Sequence, residues 1–206
     1  MVLPVVRFAA IVGLLWALPA VGQSAPAWIA ALQGGGHVIV LRHGATYADQ
    51  ADTNPLDLKD TAHQRQLNDA GRAAAKSMGD ALRKLKIPVG KVQTSLFQRA
   101  VETGTLLGVG DVSSTADISE GGLVVSPNEN NRRTAALRTL AATPPAAGTN
   151  VVLVSHKPNI MDAFGKDWFD VREGEASIFR PDGKGGYTLV ARVPAAEWTR
   201  LAQAAP

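Results

Sequence analysis

Two histidines and two arginines in this 206-residue chain stand where chemistry could be done. Arg42 and His43 follow directly on the apolar run His37–Leu41 (HVIVL), in Leu41-Arg42-His43-Gly44-Ala45-Thr46. His156 comes just after a second apolar run, Asn150–Val154 (NVVLV), and Arg99 lies in Arg99-Ala100-Val101-Glu102-Thr103, beyond a third strand-like segment at Lys91–Thr94. Guanidinium forks bind the oxygens of a tetrahedral dianion bidentately and stay charged at any relevant pH. A neutral imidazole can attack phosphorus, and a phosphohistidine divides one difficult hydrolysis into two easier steps. Phosphoryl transfer needs mainly positioning and charge neutralisation, which Arg42, Arg99 and a protonated His156 could supply without metal. Gly44 would let the backbone turn closely past the phosphate and offer its N–H as a further donor.

Such residues form one site only if strands bring them together. In an open parallel sheet functional groups gather just past the carboxyl ends of strands. The two apolar runs suit strands buried on both faces. Around them the pattern gives helices at Ala27–Leu32, Ala70–Lys86 (capped by Asn68 or Asp69), Phe97–Leu107, Asn130–Ala142, Asn159–Phe164 and Ala195–Ala202. Further strands are expected near Val109–Ser113 and at Ala176–Phe179 and Tyr187–Val193. Alternating strands and helices imply an α/β protein, a three-layer sandwich around a mostly parallel sheet.

Composition excludes several classes. Without cysteine there is no disulfide, thiolate metal site or thiol nucleophile. A net charge of +3 with only Arg83, Lys84 and Lys86 tightly clustered gives no basis for nucleic-acid binding. Residues 1–22 read as a secretory signal: Arg7, the apolar stretch Phe8–Leu18, and small residues at Ala20-Val21-Gly22. That stretch is about half the ~20 residues a membrane span needs. The expectation is a mature domain over residues 23–206, periplasmic or secreted, with no stable span after cleavage.

The residues just named resemble the histidine phosphatase (phosphoglycerate mutase-like) superfamily, over most of the chain from His37 to about Phe179. The resemblance implies that His43 is the phosphorylated nucleophile and that Arg42, Arg99 and His156 complete the phosphate pocket; no cofactor is expected. Lys157-Pro158 replaces the Asp that the family's larger branch places after its second histidine, so the smaller branch fits better. That branch often uses a Glu between the second Arg and the second His to protonate the leaving oxygen. Glu120 and Glu129 both lie in this interval, neither in the usual surroundings, and Asp52, Glu175 or no protein acid remain open.

Other candidates have plainer readings. His37 and His63 read as structural, and no histidine pair has metal-ligand spacing. Arg65, Arg72, Arg132 and Arg133 are solvated helix residues or the pocket mouth, and Arg99 could instead pair with Glu102 on a helix surface. Trp168, Phe169 and Trp198 read as core packing. The expected function is an exported, metal-independent phosphomonoesterase acting on a small anionic phosphate-containing substrate, such as an envelope glycan or lipid phosphate. The alternative is a non-catalytic phosphate- or phosphoglycan-binding module. The oligomeric state is left open.

Overall fold

The computed structural model describes residues 25–121 and 124–204. The secretory-signal reading of residues 1–22 falls outside them. The strands are β1 (Val38–Arg42), β2 (Val89–Ser95), β3 (Asp111–Thr115), β4 (Asn150–Ser155), β5 (Ala176–Pro181) and β6 (Tyr187–Val193). The helices are α1 (Ala27–Gln33), α2 (Asp69–Lys84), α3 (Gln98–Leu107), α4 (Pro127–Ala142), α5 (Lys157–Phe164) and α6 (Ala195–Ala204). One six-stranded sheet runs in the order β3-β2-β4-β1-β5-β6. The first four strands are mutually parallel, while β5 runs antiparallel to both of its neighbours, β1 and β6.

The burial of β1 and β4 explains their unbroken apolar runs. Ile39 and Leu41 of β1 pack with Leu82 of α2, Ala100 of α3 and Trp198 of α6. Val38 and Val40 point the other way, into a second cluster with Leu137 of α4, Ile160 of α5 and Phe179. Alternating residues of one strand thus serve two cores, so polar residues are excluded from both faces. The result is the expected three-layer α/β/α sandwich.

Local signals also act as read. Asn68 caps α2, its side chain accepting from the Gly71 N–H at 2.8 Å. One boundary shifts and one expectation fails. The β3 strand lies at Asp111–Thr115, an exposed edge whose polar sequence carries little periodicity. Phe169 is 68% exposed rather than packed, with the Lys157 ammonium 4.8 Å from its ring centroid. Trp168 and Trp198 are buried as expected. Among the described residues no helix is long and apolar enough to cross a membrane.

Candidate active site

Sheet register assembles the site. β1 and β4 are parallel neighbours with Arg42 opposite Ser155. The next residue on each strand is therefore a histidine beside a histidine, and the His43 and His156 rings lie 5.1 Å apart, centroid to centroid. β2 flanks β4 on its other side, with Thr94 opposite Val154, so Ser95 arrives at the same edge. Ser95 Oγ is 2.7 Å from His156 Nε2. The Phe97 ring stands edge-on to His156 at 5.2 Å, and the Arg99 guanidinium lies 4.4 Å from the Phe97 centroid. Three neighbouring strand ends thus deliver four groups that are far apart in the sequence.

Hydrogen bonds assign the protons. His43 Nδ1 is 2.8 Å from Gly44 O. A carbonyl only accepts, so Nδ1 carries the proton and Nε2 keeps its lone pair. Burial pushes the His43 imidazole down to about 3, with the Arg99, Arg42 and Arg65 charges adding to the effect, against the Gly44 hydrogen bond. It is neutral at physiological pH. His156, wholly buried, is held well below its ordinary value by burial, then by His43 and the same arginines. This corrects the expectation of a protonated His156: in the free protein it is neutral. Ser95 Oγ already accepts from the Phe97 N–H, so its own hydroxyl can donate to His156 Nε2, leaving the His156 proton on Nδ1.

The arginines are anchored but not saturated. Arg99 is fully buried, its NH1 donating to Asp52 Oδ1 at 2.9 Å and its NH2 to Glu120 Oε1. The helix-surface pair with Glu102 does not form, because Glu102 accepts from Arg72 Nε at 2.7 Å. Arg42 NH1 donates to Val171 O at 2.8 Å, and its NH2 is 3.6 Å from Glu173 Oε1. Among the described residues, Arg42 Nε, Arg99 Nε and His156 Nδ1 are buried without a hydrogen-bond partner.

The structure separates the acids. Glu120 Oε1 reaches both Arg99 and, at 3.5 Å, His156 Nδ1. Glu129 does not enter the site. It lies in the first turn of α4, where Arg132 and Arg133 hold its carboxylate down at about 2, ionised and unable to donate a proton at neutral pH. Glu175 is buried in structural bonds to Arg192 Nε and the Arg172 N–H. Asp52 reaches the site through Arg99, its Oδ1 also accepting from the Arg65 N–H at 2.9 Å. Gly44 also departs from expectation, since its N–H donates to Thr103 Oγ1 and is not free for phosphate. Its smallness serves packing instead: a Cβ there would meet Gly71 O of α2 at 2.9 Å.

Residues 38–123 match the model of the histidine phosphatase superfamily (branch 1), a stretch that holds Arg42, His43, Arg99 and Glu120. Over that stretch the chain is similar to the histidine phosphatase superfamily. Solved structures agree on the fold. The protein histidine phosphatase SixA complexed with tungstate is 19% identical with a TM-score of 0.55, covering 78% of this chain and 97% of its own. A phosphoserine phosphatase from Entamoeba histolytica, in complex with 3-phosphoglyceric acid, is 14% identical with a TM-score of 0.52, covering 76% and 96%. The product of open reading frame Rv3214 from Mycobacterium tuberculosis is 17% identical with a TM-score of 0.52, covering 77% and 97%. No curated protein sequence matches the chain.

Sequence reasoning missed several supporting groups. Ser95, which orients His156, is the last residue of β2, and its place at a strand end was the only available signal. Thr103 and Glu173 carried none. Of the four arginines considered for the pocket mouth, Arg65 acts on both imidazoles, whereas Arg72, Arg132 and Arg133 are tied to Glu102, Asp117 and Glu129.

Proposed function

We propose that this protein is a histidine phosphatase, an exported enzyme that hydrolyses phosphomonoesters through a phosphohistidine on His43 Nε2, without a metal ion. The observation that carries the reading is the Nδ1 bond of His43 to Gly44 O, which leaves a neutral, unprotonated Nε2 beside two guanidiniums. The buried donors Arg42 Nε, Arg99 Nε and His156 Nδ1 need acceptors, and phosphate oxygens are acceptors of the right charge.

In the first step the Nε2 lone pair forms a bond to phosphorus as the ester P–O bond breaks in line. The leaving oxygen takes its proton from Glu120, the acid that stands beside His156 and Arg99. A dianion that takes the Arg99 guanidinium leaves the Glu120 carboxyl group free to face the leaving oxygen. In the second step water attacks the phosphohistidine, gives its proton to Glu120, and releases inorganic phosphate and neutral His43. Arg42, Arg99 and His156 Nδ1–H neutralise the charge on the three equatorial oxygens in both steps. Glu120 at this position speaks for turnover rather than for a module that only binds phosphate.

An amino-acid phosphate or a protein phosphohistidine, as the relatives' names suggest, or an envelope glycan or lipid phosphate would all present this dianion. The decisive test is hydrolysis of an aryl phosphate in excess chelator by the wild type and by His43→Ala. Turnover that survives chelator and vanishes in the variant is expected. A trapped, acid-labile phosphoryl group on His156 instead of His43 would reverse the two roles. Export is tested by fractionating cells that carry the full chain or a chain lacking residues 1–22.

A further inference from the structure

Glu120 and Phe97, which close one side of the imidazole pair, are also walls of a cleft of about 190 Å³. Its other walls are Pro55, Leu56 and Leu58 from one loop, Val124 and Val125 from another, and Arg133. Leu56 is 82% exposed and Val124 41% exposed, so the cleft presents two large apolar side chains to solvent. The one cation in this wall is already committed. Arg133 Nε donates to Glu129, and its NH1 donates to the carbonyl oxygens of Ser119 and Glu120.

From this juxtaposition we infer that the cleft receives the leaving group, and that the enzyme prefers phosphate esters of apolar alcohols or phenols to esters whose alcohol carries a second charge. The inference rests on the reading of Glu120 as the acid. If Glu120 protonates the leaving oxygen, the carbon attached to that oxygen must start at Glu120, and the space open to it from there is this cleft. A volume near 150 Å³ lined by apolar side chains is enough for a benzene ring, so the cleft holds a ring or a short alkyl chain. A carboxylate on the leaving group would meet apolar walls, the Glu120 carboxylate and a guanidinium that is already paired, and would lose its hydration without a partner.

The test is a series of n-alkyl phosphates from ethyl to octyl, whose leaving groups differ little in basicity. The expected result is a rise in kcat/KM of about threefold per methylene, levelling off once the cleft is filled. O-phosphoserine is expected to fall at least tenfold below propyl phosphate. Leu56→Ser and Val124→Ser are expected to flatten the rise, and both positions are exposed enough for the variants to fold. Leu189→Ser, an exposed apolar residue on β6, keeps the wild-type slope. A flat series, or a slope that Leu56→Ser and Val124→Ser leave intact, overturns the inference while His43-dependent turnover upholds the catalytic reading. No turnover of any ester and no phosphoryl group on His43 would overturn both.

Discussion

Arginines held between two carboxylates recur in this molecule, and two of these clusters, centred on Arg99 and Arg132, differ sharply in burial. Arg99 is completely buried and binds Asp52 and Glu120, which are 22% and 18% exposed. Arg132 is 49% exposed and binds Asp117 and Glu129, which are 45% and 32% exposed. The residue types are the same, and Asp117 and Glu120 even share one short segment. What differs is water. An ion pair at 4 Å is worth about 1 kcal/mol in bulk water and about four times that near a protein's less polar surface. The exposed cluster is therefore a solvated helix start, while the buried one holds its charges in place beside two neutral imidazoles. Composition alone cannot tell a surface ion pair from a phosphate pocket; burial at converging strand ends does.

The largest expected effect comes from removing the central cation of each cluster. Arg99→Ala strands two partly buried carboxylates and removes phosphate donors, so kcat/KM should fall by about 10³-fold and stability by about 3–5 kcal/mol. Arg132→Ala should leave activity unchanged and the melting temperature nearly so. Steady-state kinetics and thermal melts on both variants read the contrast, and equal losses would break it.

Next in size is the pair of glutamates that sequence alone left open. Glu120→Gln should slow an alkyl phosphate by about 10²–10³-fold and an aryl phosphate, whose phenolate leaves unaided, far less. Glu129→Gln should change neither. The reverse pattern would move the acid to α4 and undo the assignment made here.

The same contrast explains what could be read from the chain before any coordinates. His43, His156, Arg42 and Arg99 were legible because each follows a segment whose apolar pattern already says buried strand, and strand ends converge in a parallel sheet. Glu120 and Glu129 were not separable, because their difference lies in how a loop and a helix start fold back, which no local periodicity encodes. Gly44 was visible as a glycine, but its cause, the close approach to Gly71 on α2, joins segments 27 residues apart. Ser95 and Asp52 are small polar residues of a kind common in turns, and they acquire roles only through His156 and Arg99. The protonation of His156 is not legible in the sequence, because the burial that keeps the imidazole neutral arises only in the fold. Phe169 was read as core because aromatic residues usually are, yet this one lies on the surface under Lys157.

Acid should expose the buried cluster a third way. Folding lowers the affinity of His43 and His156 for protons, whereas the unfolded chain recovers ordinary values near 6.5. The unfolded state therefore binds more protons below that pH, so the stabilising contribution is complete above about 6.5 and is lost as pH falls toward 3. The slope should be about 1.4 kcal/mol per pH unit for each histidine, measured by urea unfolding between pH 6 and 4. His43→Gln should remove about half of it. A slope that His43→Gln leaves unchanged would locate the titration outside the site.

The smallest effect is the most discriminating. Asp52 draws on the same guanidinium that the phosphate needs, so it holds Arg99 in place and also offsets its charge. Asp52→Asn keeps the side-chain shape and the acceptor for the Arg65 N–H but removes the negative charge. Inorganic phosphate should then inhibit about three- to tenfold more tightly, tenfold corresponding to 1.4 kcal/mol, with the gain shrinking as salt screens the pocket. Asp117→Asn, the equivalent change in the exposed cluster, should not move phosphate inhibition at all. If Asp52→Asn weakened phosphate binding instead, Asp52 would act chiefly by holding Arg99 in position, and the buried cluster would owe its function to geometry more than to unscreened charge.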